Sequence, residues 1–183
     1  VEDGEVAIGV LGCPNLPSAN AKGCLFAALR DNGATEHRLD GSLEGPIRVD
    51  RITNASHAVL VESVEAAHAA HSEHAGIARR LGMTSEPYRI DSQCKYGVVA
   101  RGDASIYLRL PSSKGYREKV WDHAAGCLIA EEAGGRATDL GGFPLDFSAG
   151  RYLSNHNGII VTNGHIHEAV LAAARAELGM EER

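Results

Sequence analysis

Asp122 stands where an apolar helical repeat begins: Ala124, Ala125, Leu128, Ile129 and Ala133 recur at helical spacing, and Gly134-Gly135 ends the run. A carboxylate there can cap free N–H groups at the positive end of the helix dipole. It can equally be a metal-binding carboxylate whose direction the helix sets, and both readings stand on these residues alone. Lys95 and Arg109 are charge-assisted donors suited to phosphate, or else solvated surface charges. Arg109 alternates with Tyr107 on an apolar run closed by Pro111, which puts it near a strand end. Ligands of open α/β sheets gather there. His68, His71 and His74 form a row at every third residue that invites a zinc reading. The row drifts round a helix, has no acidic partner at ligand spacing and lacks a His-Glu-x-x-His motif, so it reads as a polar face. Glu131 and Glu132, more than two turns beyond Asp122, read as a solvated face and not as an acid/base couple. His123 is either a helper of Asp122 or a satisfied histidine at a helix start, and Trp121 reads as core or pocket wall.

The elements that must position these groups follow from punctuation and periodicity. Glu5–Leu11 reads as a strand, ended by Pro14 and Pro17. Gly23–Leu29 is a buried apolar segment and Arg30–Thr35 a hairpin turn. Residues 36–50 read as an extended arm ending in a short strand, Ile47–Val49. Ala58–Val61 fits a buried strand of a parallel sheet. A helix is expected from Val64 to Leu81, stopped by Gly82. Tyr88–Ile90 and Ala104–Leu110 are further strands, with Gly97–Ala100 in a helix or turn between them. After the helix that follows Asp122 come strands over 135–139 and 158–162 and a closing helix, His165–Leu178. Strands alternating with helices from residue 58 imply an α/β layer.

The composition is that of a globular protein, with 44% hydrophobic and 23% charged residues. The net charge of −6, from 18 basic against 24 acidic residues, argues against general nucleic-acid or membrane-surface binding. A local positive pocket for an anionic ligand remains compatible with it. The apolar runs are far shorter than a membrane span. Cys13, Cys24, Cys94 and Cys127 are scattered without a Cys-x-x-Cys pair and are expected to be reduced thiols of a cytoplasmic protein.

Several separated blocks, in order, carry a resemblance. Val120-Trp121-Asp122-His123-Ala124-Ala125-Gly126, Glu132-Ala133-Gly134-Gly135, Thr138-Asp139 and Pro144-Leu145-Asp146-Phe147 resemble the C-terminal signature of the inositol monophosphatase superfamily. Val64 to His71, Asp91-Ser92-Gln93-Cys94-Lys95-Tyr96 and Ile106 to Pro111 look more closely like the 3′(2′),5′-bisphosphate nucleotidases within it. The resemblance runs from about Gly4 to the end of the chain. It implies a layered αβαβα sandwich, represented by its C-terminal α/β half, residues 56–183. The end of the antiparallel-sheet half would occupy residues 1–55.

The resemblance implies Mg²⁺-dependent hydrolysis of 3′-phosphoadenosine 5′-phosphate to AMP and phosphate, by in-line attack of metal-activated water. It extends to 3′-phosphoadenosine 5′-phosphosulfate, to inhibition by Li⁺ and Na⁺, and to a role in sulfur assimilation. Asp122 would be the catalytic metal ligand and touch substrate; His68, Ser92, Lys95 and Arg109 would hold the adenosine 5′-phosphate portion. The family's other ligands come from a Glu-Glu segment and an Asp-Pro-Ile/Leu-Asp-Gly-Thr motif, and neither occurs here. Asp40-Gly41-Ser42 echoes the latter without the preceding Asp-Pro. The expectation is therefore the C-terminal part of such an enzyme, with the missing N-terminal segment as partner. The alternatives are a non-catalytic adenosine-nucleotide-binding module and an inositol monophosphatase.

Overall fold

The computed structural model describes residues 1–2, 4–19, 21–64, 71–111, 117–153 and 157–180. Its first sheet is four-stranded and antiparallel, with strand order β1 (Ile8–Cys13), β2 (Cys24–Leu29), β3 (Ala34–His37), β4 (Leu43–Pro46). Along β1 the pleat turns Gly9, Leu11 and Cys13 inward and leaves Ile8 and Val10 outward. The strand runs later than the expected Glu5–Leu11, because pairing with β2 carries it on to Cys13 opposite Cys24. The expected arm over 36–50 is instead the β3–β4 hairpin, and Ile47–Val49 is not a strand. Asp40 accepts from the backbone N–H of Ser42 at 2.8 Å and closes the hairpin loop. Ile47 still donates to Ala34 (3.0 Å), but Val49 has turned away to donate to the carbonyl of Ala133 (3.1 Å).

The second sheet has strand order β6 (Tyr88–Arg89), β5 (Leu60–Glu62), β7 (Ile106–Arg109), β9 (Ile159–Thr162), β8 (Arg136–Thr138). It is mixed and not parallel throughout. β5 runs parallel to β6 and β7, whereas β9 is antiparallel to both β7 and β8. Both faces of the central strands β5, β7 and β9 are covered, so these read as largely apolar runs. Val61, Tyr107, Ile159 and Val161 face a core shared with the first sheet, while Leu60, Ile106, Leu108 and Ile160 face a second core.

Helices α2 (Cys94–Ala100) and α3 (Ala124–Glu132) pack between the two sheets. Helices α1 (His71–Arg80) and α4 (His167–Glu177) pack on each other over the far face of the second sheet. The successive layers are thus sheet, helix pair, sheet, helix pair, as expected of the α/β sandwich. The helix expected from Val64 is described from His71, residues 65–70 lying outside the described residues. Gly82 (φ +67) ends it, with Gly82 and Met83 donating back to Arg79 and Ala78.

Glu132 corrects the expectation of a solvated face. Its two carboxylate oxygens accept the backbone N–H groups of Asp31 and Gly33, each at 2.8 Å, and so tie α3 to the β2–β3 turn. His167, at the start of α4, is fully buried between Thr138 and Thr162, whose hydroxyls lie 2.9 and 3.0 Å from its ring nitrogens. Burial lowers this histidine from its ordinary 6.5 to about 4. The folded state therefore holds a neutral ring that the unfolded chain protonates more readily. Its contribution is complete above the unfolded value and is lost as pH falls from about 6.5 to about 4, by at most about 3 kcal/mol. Denaturant titrations across that window should show the fall in the parent protein and a shallower one in His167→Gln. Equal slopes would assign the fall to other groups.

Candidate functional site

At the carboxyl ends of the parallel strands β5, β6 and β7 lies a cleft of about 320 Å³. Ser63 enters from the end of β5, and Asp91, Ser92 and Gln93 from the connection between β6 and α2. Tyr107 and Arg109 enter from β7, and Glu118, Asp122 and His123 from the approach to α3. Asp91 ties two of these ends together by accepting the N–H of Val64 at 3.0 Å. Ser92 sits in the left-handed region (φ +68) that non-glycine residues seldom adopt. Its hydroxyl accepts from the N–H of Cys94 at 3.3 Å, in the first turn of α2.

Lys95 overturns the reading of a solvated surface charge. It is 6% exposed, and among the described residues its one hydrogen-bond partner is the hydroxyl of Ser63, at 3.1 Å. Its ammonium also lies 5.5 Å from the centroid of the Tyr107 ring. Burial lowers its pKa, and Arg109 adds to that effect while the charge of Asp91 opposes it. A buried ammonium on a neutral hydroxyl is costly unless an anion completes its environment. Arg109, half-buried, donates from Nε to Glu118 at 2.9 Å.

Asp122 does not cap the helix. It closes a 3₁₀ turn, Val120–Asp122, and the residue flanking α3 is His123, which makes no side-chain cap. The turn leaves Asp122 half-buried in the cleft wall. Trp121, expected in the core or pocket wall, is 54% exposed, with Arg151 over its ring. Its carbonyl accepts from Gln93 at 3.1 Å, fastening the 3₁₀ turn to the start of α2. His123 is buried and fully partnered, to the Tyr96 hydroxyl at 2.7 Å and to Glu118 at 2.9 Å. Burial pushes the Glu118 carboxyl up, but the bonds from His123 and Arg109 outweigh this and hold it below its ordinary value.

Ser92, Lys95, Arg109 and Asp122 are thus brought to one cleft, although they come from the β6–α2 connection, the first turn of α2, the end of β7 and a 3₁₀ turn. His68 lies outside the described residues. His71 and His74 belong to a neighbouring cleft, where Glu62 reaches them from β5 instead of from their own helix. Glu62 accepts from His71 at 3.2 Å and from Arg89 at 3.0 Å, and His74 lies 3.6 Å away. Among the described residues no group of three or more His, Cys, Asp or Glu side chains is placed to hold a metal ion. Ser63, Asp91 and Glu118 were not singled out from the sequence. Glu118, four residues before Asp122, and Asp91, opening the Asp-Ser-Gln-Cys-Lys-Tyr block, both lie inside or beside motifs that carried the resemblance.

Asp122 suits a hard divalent cation as a single carboxylate donor, since Mg²⁺ commonly takes one or two protein carboxylates together with substrate phosphates and water. Among the described residues, no helix is long and apolar enough to cross a membrane. Residues 1–178 match the inositol monophosphatase family. The chain is 45% identical to a 3′(2′),5′-bisphosphate nucleotidase of Oryza sativa, over 96% of this chain and 52% of that protein. It is 40% identical to one of Schizosaccharomyces pombe, over the same shares. The chain therefore spans about half the length of these curated relatives. Among solved structures, an IMPase of Thermotoga maritima superposes with a TM-score of 0.71 at 23% identity, covering 98% of this chain and 59% of that one. That likeness concerns the fold.

Proposed function

The chain belongs to the inositol monophosphatase family, and from that premise we propose that it carries the nucleotide pocket of a Mg²⁺-dependent 3′(2′),5′-bisphosphate nucleotidase. The reaction is hydrolysis of 3′-phosphoadenosine 5′-phosphate to AMP and phosphate. The observation that carries this reading is the buried Lys95 ammonium, set beside Arg109 in a cleft whose other wall holds Asp122. The names of the relatives support the substrate class.

In this reading Lys95 and Arg109 bind the 5′-phosphate side of the nucleotide, Lys95 as a buried point charge and Arg109 through its guanidinium. Ser92 adds a hydroxyl from a strained backbone position in the cleft lining, and His68 contributes a ring donor. Asp122 contributes its carboxylate to Mg²⁺. When bound, the ion neutralises phosphoryl oxygens and lowers the pKa of a bound water. The same pocket accepts 3′-phosphoadenosine 5′-phosphosulfate, and Li⁺ inhibits turnover. A cytoplasmic location accords with four buried free thiols.

Specificity for a nucleotide over an inositol phosphate tests the proposal. Arg109→Ala should weaken AMP by roughly 10- to 100-fold, the loss of a charged hydrogen-bonding group. Inositol 1-phosphate should weaken by a much smaller factor. Titration calorimetry with both ligands decides the matter, and equal losses would remove the nucleotide assignment.

A further inference from the structure

Glu118 occupies a place that the proposed roles do not use. Its carboxylate is largely buried, and both oxygens are spoken for: one accepts Arg109 Nε at 2.9 Å and the other faces His123 Nε2 at 2.9 Å. The hydrogen bonds behind His123 run in one direction. Tyr96 is fully buried, and burial raises its hydroxyl well above the ordinary value, so the phenol keeps its proton. The Tyr96 O–H then donates to His123 Nδ1 at 2.7 Å. That leaves Nε2–H as the donor to Glu118. Behind Tyr96, the Cys127 thiol approaches the phenol oxygen at 3.7 Å.

Two donors therefore converge on one carboxylate, Arg109 from β7 and His123 from the residue flanking α3, with Tyr96 of α2 bonded behind His123. Glu118 joins the cationic wall of the cleft, through Arg109, to the residue bonded directly to Asp122. We infer that Glu118 is a positioning residue for the nucleotide, locking the plane and reach of Arg109 and registering the turn that carries Asp122 against it. This inference rests on the nucleotidase reading above. Glu118 touches no reacting atom; it acts through Arg109 and His123.

The discriminating ligands are AMP and adenosine, measured by calorimetry on the full-length protein. Arg109 is proposed to meet phosphate, so a residue that acts through it should matter for AMP and not for the bare nucleoside. Glu118→Gln removes the charge that both donors seek, and should weaken AMP about tenfold while adenosine changes less than about twofold. In the Arg109→Ala background the same substitution should weaken AMP by less than about twofold, because the group it orients is gone. Glu118→Asp, which keeps the charge but is one methylene short, supplies the same comparisons if Glu118→Gln does not fold. Equal weakening of AMP and adenosine would mean a merely structural residue and overturn the inference. Full additivity with Arg109→Ala would overturn it as well. Failure of the parent protein to bind AMP would instead defeat the nucleotidase reading itself.

Discussion

Asp122→Asn is expected to cut phosphate release from 3′-phosphoadenosine 5′-phosphate by about three orders of magnitude, while AMP binding remains measurable. The size follows from the role proposed for Asp122, a charged ligand to an ion that would stabilise the transition state by several kcal/mol, with each 1.4 kcal/mol about tenfold in rate. The separation of the two effects follows from the geometry. Asp122 closes a 3₁₀ turn through its backbone N–H, which donates to Lys119 at 3.0 Å, and its side chain caps no helix. Asparagine keeps the volume and that backbone bond, so the fold and the Lys95–Arg109 wall should survive. Steady-state phosphate release together with AMP calorimetry on the purified variant is the measurement. Turnover retained within about tenfold would remove Asp122 from the reaction.

Gly126→Val is expected to destabilise the fold severely, by about 3 kcal/mol. Helices α2 and α3 cross where Gly126 faces Tyr96. A Cβ added at Gly126 would stand 2.4 Å from Cγ and Cδ2 of that ring and 2.9 Å from its Cβ. Tyr96 is fully buried, packs edge-on against Tyr107 at 5.0 Å, and is fixed by its bond to His123. The ring cannot yield without breaking the hydrogen bonds that end on Glu118. Valine adds two methyl groups beyond that Cβ to an interior packed at crystal density, and its branched side chain suits a helix poorly. Urea denaturation should show a lower midpoint, and AMP affinity should fall with it through the displaced His123–Glu118 pair. A variant as stable as the parent would mean that α2 and α3 are further apart than the contact between Gly126 and Tyr96 implies.

The cleft was legible in the sequence where chemistry and motif coincide. Ser92 and Lys95 share one short block, Asp122 opens a helical repeat, and Arg109 stands at the end of an apolar run, so each can be singled out without knowing what it touches. The partners were not legible, because they depend on tertiary contact. Nothing local says that Glu118 meets both Arg109 and His123, or that Ser63 is the neighbour of Lys95. The cap reading of Asp122 failed for a related reason: a 3₁₀ turn ahead of α3 displaces it from the flanking position, and the helical repeat begins too late to reveal that turn. The β3–β4 hairpin was missed because its strands carry polar residues, Gly45 and Pro46 on the outer edge of a sheet, where hydrophobic alternation is weak. The mixed direction of the second sheet was hidden too, since strands buried on both faces read alike in either direction.

The central claim is that the cleft serves hydrolysis of a 3′-phosphorylated adenosine nucleotide. It is tested most directly by phosphate release from 3′-phosphoadenosine 5′-phosphate under a Mg²⁺ titration, using the full-length protein and its Asp122→Asn variant. Release should rise with Mg²⁺, be suppressed by Li⁺, and be lost in the variant. No release at any Mg²⁺ concentration, with AMP still bound in the Lys95–Arg109 cleft, would contradict it and leave a nucleotide-binding module in its place.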